Sequence, residues 1–287
     1  MSRRFVLAFL GLAAFTFSGC TPAAPRNPSA LPNVSVLPVP LVMPGLNRTR
    51  TLRIYVPPSY DSQPAKRYPV IYMHDGQNLF DNATAYAGEW GVDETMNELA
   101  RTHGFEAIVV GIDNGGELRM AELSPVVHPR IGKAEGPEYM SFVVDVVKPW
   151  VDQHYRTLTD RASTAIIGSS MGGLISHYAI NEYGPVFSRA GVFSPSYWVA
   201  PQMIDEAARQ AMPANIRIYL YAGGREGGEM EDDARRMFKA LGGAAAADRL
   251  SLHVVPEAQH NEAAWRAEFA RAVVWLFELK PVVKPAS

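Results

Sequence analysis

Cysteine is nearly missing from this chain: among 287 residues only Cys20 carries a thiol. An internal disulfide is therefore impossible, and a cysteine–zinc framework is excluded. An excess of one charge is also missing. Lys and Arg number 27 against 29 Asp and Glu, a formal net charge of −2. No basic stripe stands ready to track a phosphate backbone, so nucleic acid is not an expected partner. Beyond the first twenty residues no apolar run is long enough for a bilayer-spanning helix. Internal repeats are absent as well. No cofactor is expected.

What is present begins with a segment that does not read as part of a fold. Arg3 and Arg4 precede an apolar stretch over 5–17, followed by Ser18, Gly19 and Cys20. A positive start, a short apolar core and small residues are the layout of a secretory signal. Ser-Gly-Cys resembles the lipobox of bacterial lipoproteins, with Phe17 where leucine is usual. That resemblance implies that 1–20 is a signal peptide ending at Cys20, which becomes the lipidated first residue of the mature chain. The expectation is an exported bacterial protein, periplasmic or in the cell envelope, that meets a membrane only through this N-terminal lipid. With Cys20 committed to lipid, thiol catalysis is excluded too. Residues 21–40 are rich in Pro, Ala and Ser and lack hydrophobic periodicity, so they read as an extended tether. Residues 41–287 are enough for one domain with a well-filled core.

Strand and helix signals alternate through that domain. Short aliphatic runs predict strands at 51–56, 70–73, 107–112, 190–193, 216–222 and 250–255. Helices are expected at 92–100, 137–155, 174–183 and 230–241, with a last one carrying Trp265, Phe269, Val273 and Leu276 on one side. In 137–155, Tyr139, Phe142, Val143, Val146, Val147, Trp150 and Val151 fall at three- and four-residue spacings, and Pro149 should kink or break the helix because it lacks a backbone donor. Alternating strands and helices predict an α/β fold, a mostly parallel central sheet with helices on both faces. In such sheets the functional site lies beyond the carboxyl ends of the strands.

One such end stands out. The β-branched run at 164–167 leads into Gly168-Ser169-Ser170-Met171-Gly172, and a helix-compatible segment follows. Gly-x-Ser-x-Gly between strand and helix is the layout of a nucleophile elbow, which lifts the serine hydroxyl above the sheet. The plainer alternative is a glycine-rich turn that packs a helix on a sheet. A serine needs a base to take its proton. Of seven histidines, His260 follows the last strand and precedes the last helix, the connection that supplies the base in elbow-type hydrolases. Asn261 beside it can cap that helix. The acid that orients the base should follow the strand at 216–222, where Glu226 is the first choice and Glu229 and Asp232 are alternatives that could instead cap the next helix at its positive end. Two backbone amides must face the developing oxyanion. Met171, after the nucleophile, supplies one, and Gln77 in His74-Asp75-Gly76-Gln77-Asn78 is favoured for the other, with Gly76 second. His74, Asp75 and Asp81 lack a recognisable metal-ligand spacing, and no metal is expected.

Together these residues resemble the putative-esterase family of α/β-hydrolases, the group of feruloyl esterases, S-formylglutathione hydrolase, trilactone siderophore esterases and mycolyltransferases. The matching segments are YPVIYMHDGQNLFD at 68–81, GEWGVDET at 88–95, GSSMGG at 168–173, FSPSYW at 193–198 and HNEAAW at 260–265. The resemblance implies an α/β-hydrolase fold and a serine esterase with Ser170 and His260 in a triad. The Gly-x-Arg-Glu at 223–226 is similar to the acid loop of the siderophore-esterase branch, which favours Glu226. The substrate so implied is a small-molecule or carbohydrate-linked ester: a feruloyl or acetyl ester of a carbohydrate, or a siderophore trilactone. An acyltransferase using the same triad, and a non-catalytic binding protein on the same fold, are the alternative readings. Trp90, Tyr197 and Trp198 are candidates to grip a substrate ring or sugar, although Trp90 could equally be packed. The long connection over 113–136, with Arg119, His128 and Arg130, is expected to cover the site.

Overall fold

The computed structural model describes residues 26–210, 212–213 and 215–282. The expected signal segment and Cys20 lie outside the described residues. The strands are β1 (Val34–Val36), β2 (Leu41–Met43), β3 (Arg48–Arg50), β4 (Leu52–Tyr55), β5 (Val70–His74), β6 (Ile108–Ile112), β7 (Thr164–Ser169), β8 (Arg189–Phe193), β9 (Arg217–Gly223) and β10 (Leu250–Val255). The helices are α1 (Val92–His103), α2 (Arg119–Glu122), α3 (Gly136–Phe142), α4 (Lys148–His154), α5 (Met171–Glu182), α6 (Gln202–Arg209), α7 (Met230–Ala240) and α8 (Glu262–Leu276).

Eight strands form one sheet in the order β1-β4-β6-β5-β7-β8-β9-β10, while β2 and β3 make a separate hairpin. β1 and β4 run antiparallel to their neighbours, and every pairing from β6 to β10 is parallel. Side chains alternate between two apolar layers, as the two-residue period of a strand requires. Val70 and Tyr72 of β5 enter one layer with the inner faces of α3, α5 and α7. Ile71 and Met73 enter the other, with Val92, Met96 and Leu99 of α1 and Phe269, Val273 and Leu276 of α8. From β5 the chain crosses to β6 on one side and then to β7 on the other. That reversal opens a crevice at the carboxyl ends of β5 and β7, where open α/β sheets bind ligands.

One expectation is corrected and one is refined. Residues 34–36 are not tether: Val34 pairs with Tyr55 and Val36 with Arg53 as the edge strand β1. The tether reading rested on composition, and edge pairing with β4 is a long-range event that composition does not report. The expectation that Pro149 would kink or break the helix at 137–155 holds only in part: the helical path is distorted before the proline but not broken. Between α3 and α4 the backbone widens into a π-type turn at Val143–Val147. Widening just before the proline moves carbonyls away from its ring and absorbs the missing donor.

Candidate active site

β7 runs parallel between β5 and β8 and ends at Ser169. The next residue, Ser170, sits at φ 59° and ψ −121°, a conformation that costs an L-residue energy and persists only when the surroundings impose it. Three backbone bonds do so. The Ser170 amide donates to Phe193 O at 2.9 Å, and its carbonyl accepts from Ser196 at 3.1 Å and Leu174 at 3.0 Å. Gly168 is required by contact, since a Cβ there would stand 2.6 Å from the Gly172 carbonyl oxygen. The Ser170 hydroxyl lies 3.3 Å from that of Ser196.

His260 stands in the connection between β10 and α8, directly before Asn261, whose side chain accepts from the Ala264 amide at 3.0 Å and so caps α8. Its Nδ1 lies 3.3 Å from Glu226 Oε2. The Glu226 side chain is only 1% exposed, against 31% for His260. The other Glu226 oxygen accepts from the Gly223 amide at 2.7 Å and from the Ser194 hydroxyl, and Ser194 in turn accepts from Trp265 Nε1 at 2.9 Å. Trp265 also meets the His260 ring edge-on, with centroids 5.0 Å apart. The two loops are stitched by backbone: Gly224 donates to Val255 O and Arg225 to Ala258 O, each at 2.9 Å. Glu229 and Asp232 are exposed at the start of α7, near its positive end, and Glu229 makes no side-chain cap hydrogen bond there.

Ser170 and His260 line one cleft of about 580 Å³ together with Gln77, Tyr86, Arg119 and Trp265. Met171 opens α5, where the first backbone N–H groups of a helix have no partner within the helix. Gln77 sits in the single 3₁₀ turn at Gly76–Asn78 directly after β5. Neither amide has a protein acceptor among the described residues. Asp75 and Asp81 do not converge with His74 as metal ligands would: Asp75 holds Arg119, and Asp81 accepts from the Ser29 and Ala83 amides.

His74 and His177 serve the interior. Each Nδ1 lies 2.7 Å from a tyrosine hydroxyl, that of Tyr139 and of Tyr197 respectively. Burial lowers each imidazole to about 4, with the Arg119 charge adding to the effect at His74 against the opposing pull of Asp75. Both are therefore neutral packing residues at pH 7.

Two of the three aromatic candidates are corrected. Trp90 is 3% exposed and packs on Phe193, Trp265 and Phe269, so it belongs to the core beneath the cleft. Tyr197 is fully buried against His177. Trp198 lines a different recess beside Glu226, where Arg130 covers its ring face at 4.9 Å and His128 meets its edge. Sequence position placed all three near the site, but the inward side of each loop was decided by packing. The connection over 113–136 divides: Asn114, Gly116 and Arg119 reach the cleft, while His128 and Arg130 lie at Trp198. Sequence reasoning missed Tyr86, 87% exposed at the cleft rim, and the Ser194–Trp265 support of Glu226. Both support residues lay inside the family-like segments, which was the available signal.

The protein YbbA of Bacillus subtilis, described as uncharacterized, is 26% identical over 79% of this chain and 92% of its own. A solved ferulic acid esterase superposes with a TM-score of 0.66 at 19% identity, covering 86% of this chain and 99% of that one. The enterobactin esterase FES of Shigella flexneri, solved in the presence of enterobactin, gives 0.70 at 19% identity over 87% of this chain and 60% of its own. These two likenesses establish the α/β-hydrolase type of fold. The family model described as Putative esterase matches residues 44–276, and the chain belongs to that esterase family.

Proposed function

We propose that this carboxylic ester hydrolase works through a Ser170–His260–Glu226 triad and an acyl-enzyme. The observation that carries the reading is the buried Glu226 carboxylate bound to His260 Nδ1, which leaves Nε2 for a serine held at a strained elbow on the same cleft. His260 Nε2 takes the Ser170 proton as Oγ attacks the ester carbonyl. The oxyanion that forms is held by the Met171 and Gln77 amides. His260 returns the proton to the departing alkoxide, and the alcohol leaves. Water then gives its proton to His260, attacks the acyl carbon and releases the acid with the Ser170 hydroxyl restored.

The substrate side of the proposal is an ester of a phenolic acid, such as a feruloyl group, or a siderophore trilactone. The two solved relatives act on such esters by their names, and the exposed Tyr86 ring at the cleft rim offers a stacking face for an aromatic group. Turnover of a panel of feruloyl, acetyl and trilactone esters by the purified protein selects among them. For the mechanism, Ser170→Ala should lower kcat on a p-nitrophenyl ester by about 10³- to 10⁶-fold. Wild-type turnover by that variant rejects the triad. We further propose export and lipidation at Cys20. Incorporation of an alkyne-tagged fatty acid that is unchanged in Cys20→Ser would refute it.

A further inference from the structure

Asp75 occupies an unusual place beside the reacting centre. It adopts a left-handed conformation, φ 58° and ψ 47°, at the turn that leads from β5 to Gln77. Its carboxylate is buried against the first turn of the elbow helix, with Oδ2 3.4 Å from where a Cβ on Gly172 would stand. A bare carboxylate there would repel the negative charge that develops on the ester oxygen, in a site where water screens little.

Arg119 removes that problem. Its Nε donates to Asp75 Oδ1 at 2.6 Å and its Nη2 to Oδ2 at 2.8 Å, a two-point fork that fixes orientation as well as charge. Asn114 Nδ2 adds a third donor at 2.6 Å. Burial pushes the Asp75 carboxyl up, yet the Arg119 guanidinium and the Asn114 amide hold it below the ordinary carboxylate value, so it is ionised and matched by one cation. The same connection grips the turn a second time, through the Asn114 amide on Gln77 Oε1 at 3.0 Å. There is no slack between them: a Cβ on Gly76 would lie 2.9 Å from the Asp113 amide nitrogen.

We propose that Arg119 is a positioning residue for ester hydrolysis, clamping and neutralising Asp75 so that the 75–77 turn aims the Gln77 amide at the oxyanion. The inference rests on the Ser170 reading above. It makes the start of the 113–136 connection part of the oxyanion machinery rather than a cover.

Arg119→Met, Arg119→Lys and the double variant Asp75→Asn/Arg119→Met test it on the full chain, with kcat, KM and inhibition by an arylboronic acid that mimics the tetrahedral adduct. Arg119→Met should lower kcat by about 100-fold with little change in KM, and weaken boronate binding by a similar factor. Arg119→Lys, which keeps the charge without the fork, should fall between. The double variant should regain part of the loss, because no unpaired carboxylate remains beside the oxyanion. Thermal melts and fluorophosphonate labelling report the folded, reactive fraction of each variant. Wild-type kcat in Arg119→Met, a raised KM alone, or losses that track only the folded fraction would each overturn the proposal. An active Ser170→Ala removes the triad itself. An inactive Ser170→Ala beside a fully active Arg119→Met removes only the role of Arg119.

Discussion

Glu226 shows how much one carboxylate depends on its surroundings. It is buried, accepts from Gly223 and Ser194 on one oxygen, and holds His260 on the other. Glu226→Gln should keep the shape but cannot stabilise the charged imidazole, so kcat should fall by about 10²- to 10⁴-fold, read in steady-state assays at pH 7. Glu229→Gln and Asp232→Asn should leave turnover near wild type, since both residues are exposed, Glu229 at the N-cap and Asp232 in the first turn of α7. Ser170, His260 and Met171 were legible in the sequence because their placement follows from local strand–turn–helix order. The choice among three acids was open there, since each lies within a few residues of the same strand end. Tyr197 was misread, and the choice between grip and packing was open for Trp90, for a related reason. An aromatic on a cleft-side loop can face either way, and the apolar layers beneath took both.

At the scale of elements, the segment before β1 acts as a strap on the cleft rim. Arg26 donates to the carbonyls of Ala85 and Tyr86 at 2.9 and 3.1 Å. Ser29 donates its amide to Asp81 at 3.1 Å and its hydroxyl to Glu89 at 2.8 Å, while the Leu31 amide reaches Asp93 at 2.8 Å. The loop so held carries Thr84 and Tyr86 into the cleft. Each such bond contributes about 1 kcal/mol, enough together to set the rim. Arg26→Ala/Ser29→Ala should therefore raise KM severalfold for esters that reach Tyr86, with kcat little changed, as measured in initial-rate kinetics. The main strands and helices were readable from periodicity to within a few residues, as β10 at Leu250–Val255 illustrates. Strap and edge strand were not, because short polar or proline-rich segments gain their order only by pairing with residues distant in sequence; the β2–β3 hairpin pairs locally, but its three-residue strands are too short to show a period.

For the molecule as a whole, the buried histidines couple stability to pH. Burial lowers His74 and His177 to about 4, below the ordinary value of 6.5. Between those limits the unfolded chain binds protons that the folded one refuses, so stability is complete above about 6.5 and is lost as pH falls toward 4. Each histidine costs on the order of 3 kcal/mol across that window. Urea unfolding at pH 7, 5.5 and 4 should show the decline, and His177→Gln should flatten it. An unchanged slope in that variant would locate the effect elsewhere. What the sequence alone determined is the order of the parts: a serine elbow after one strand, an acid loop after a later one and a histidine before the last helix, because backbone propensity and turn chemistry are local. Only the tertiary structure decided which acid meets the histidine, which aromatics fill the core, and that Arg119 and the strap belong to the site. Those depend on residues well apart in sequence coming into contact, 34 positions for Glu226 with His260, 44 for Arg119 with Asp75 and 59 for Arg26 with Ala85, and such contacts exist only once the sheet has closed its two apolar layers.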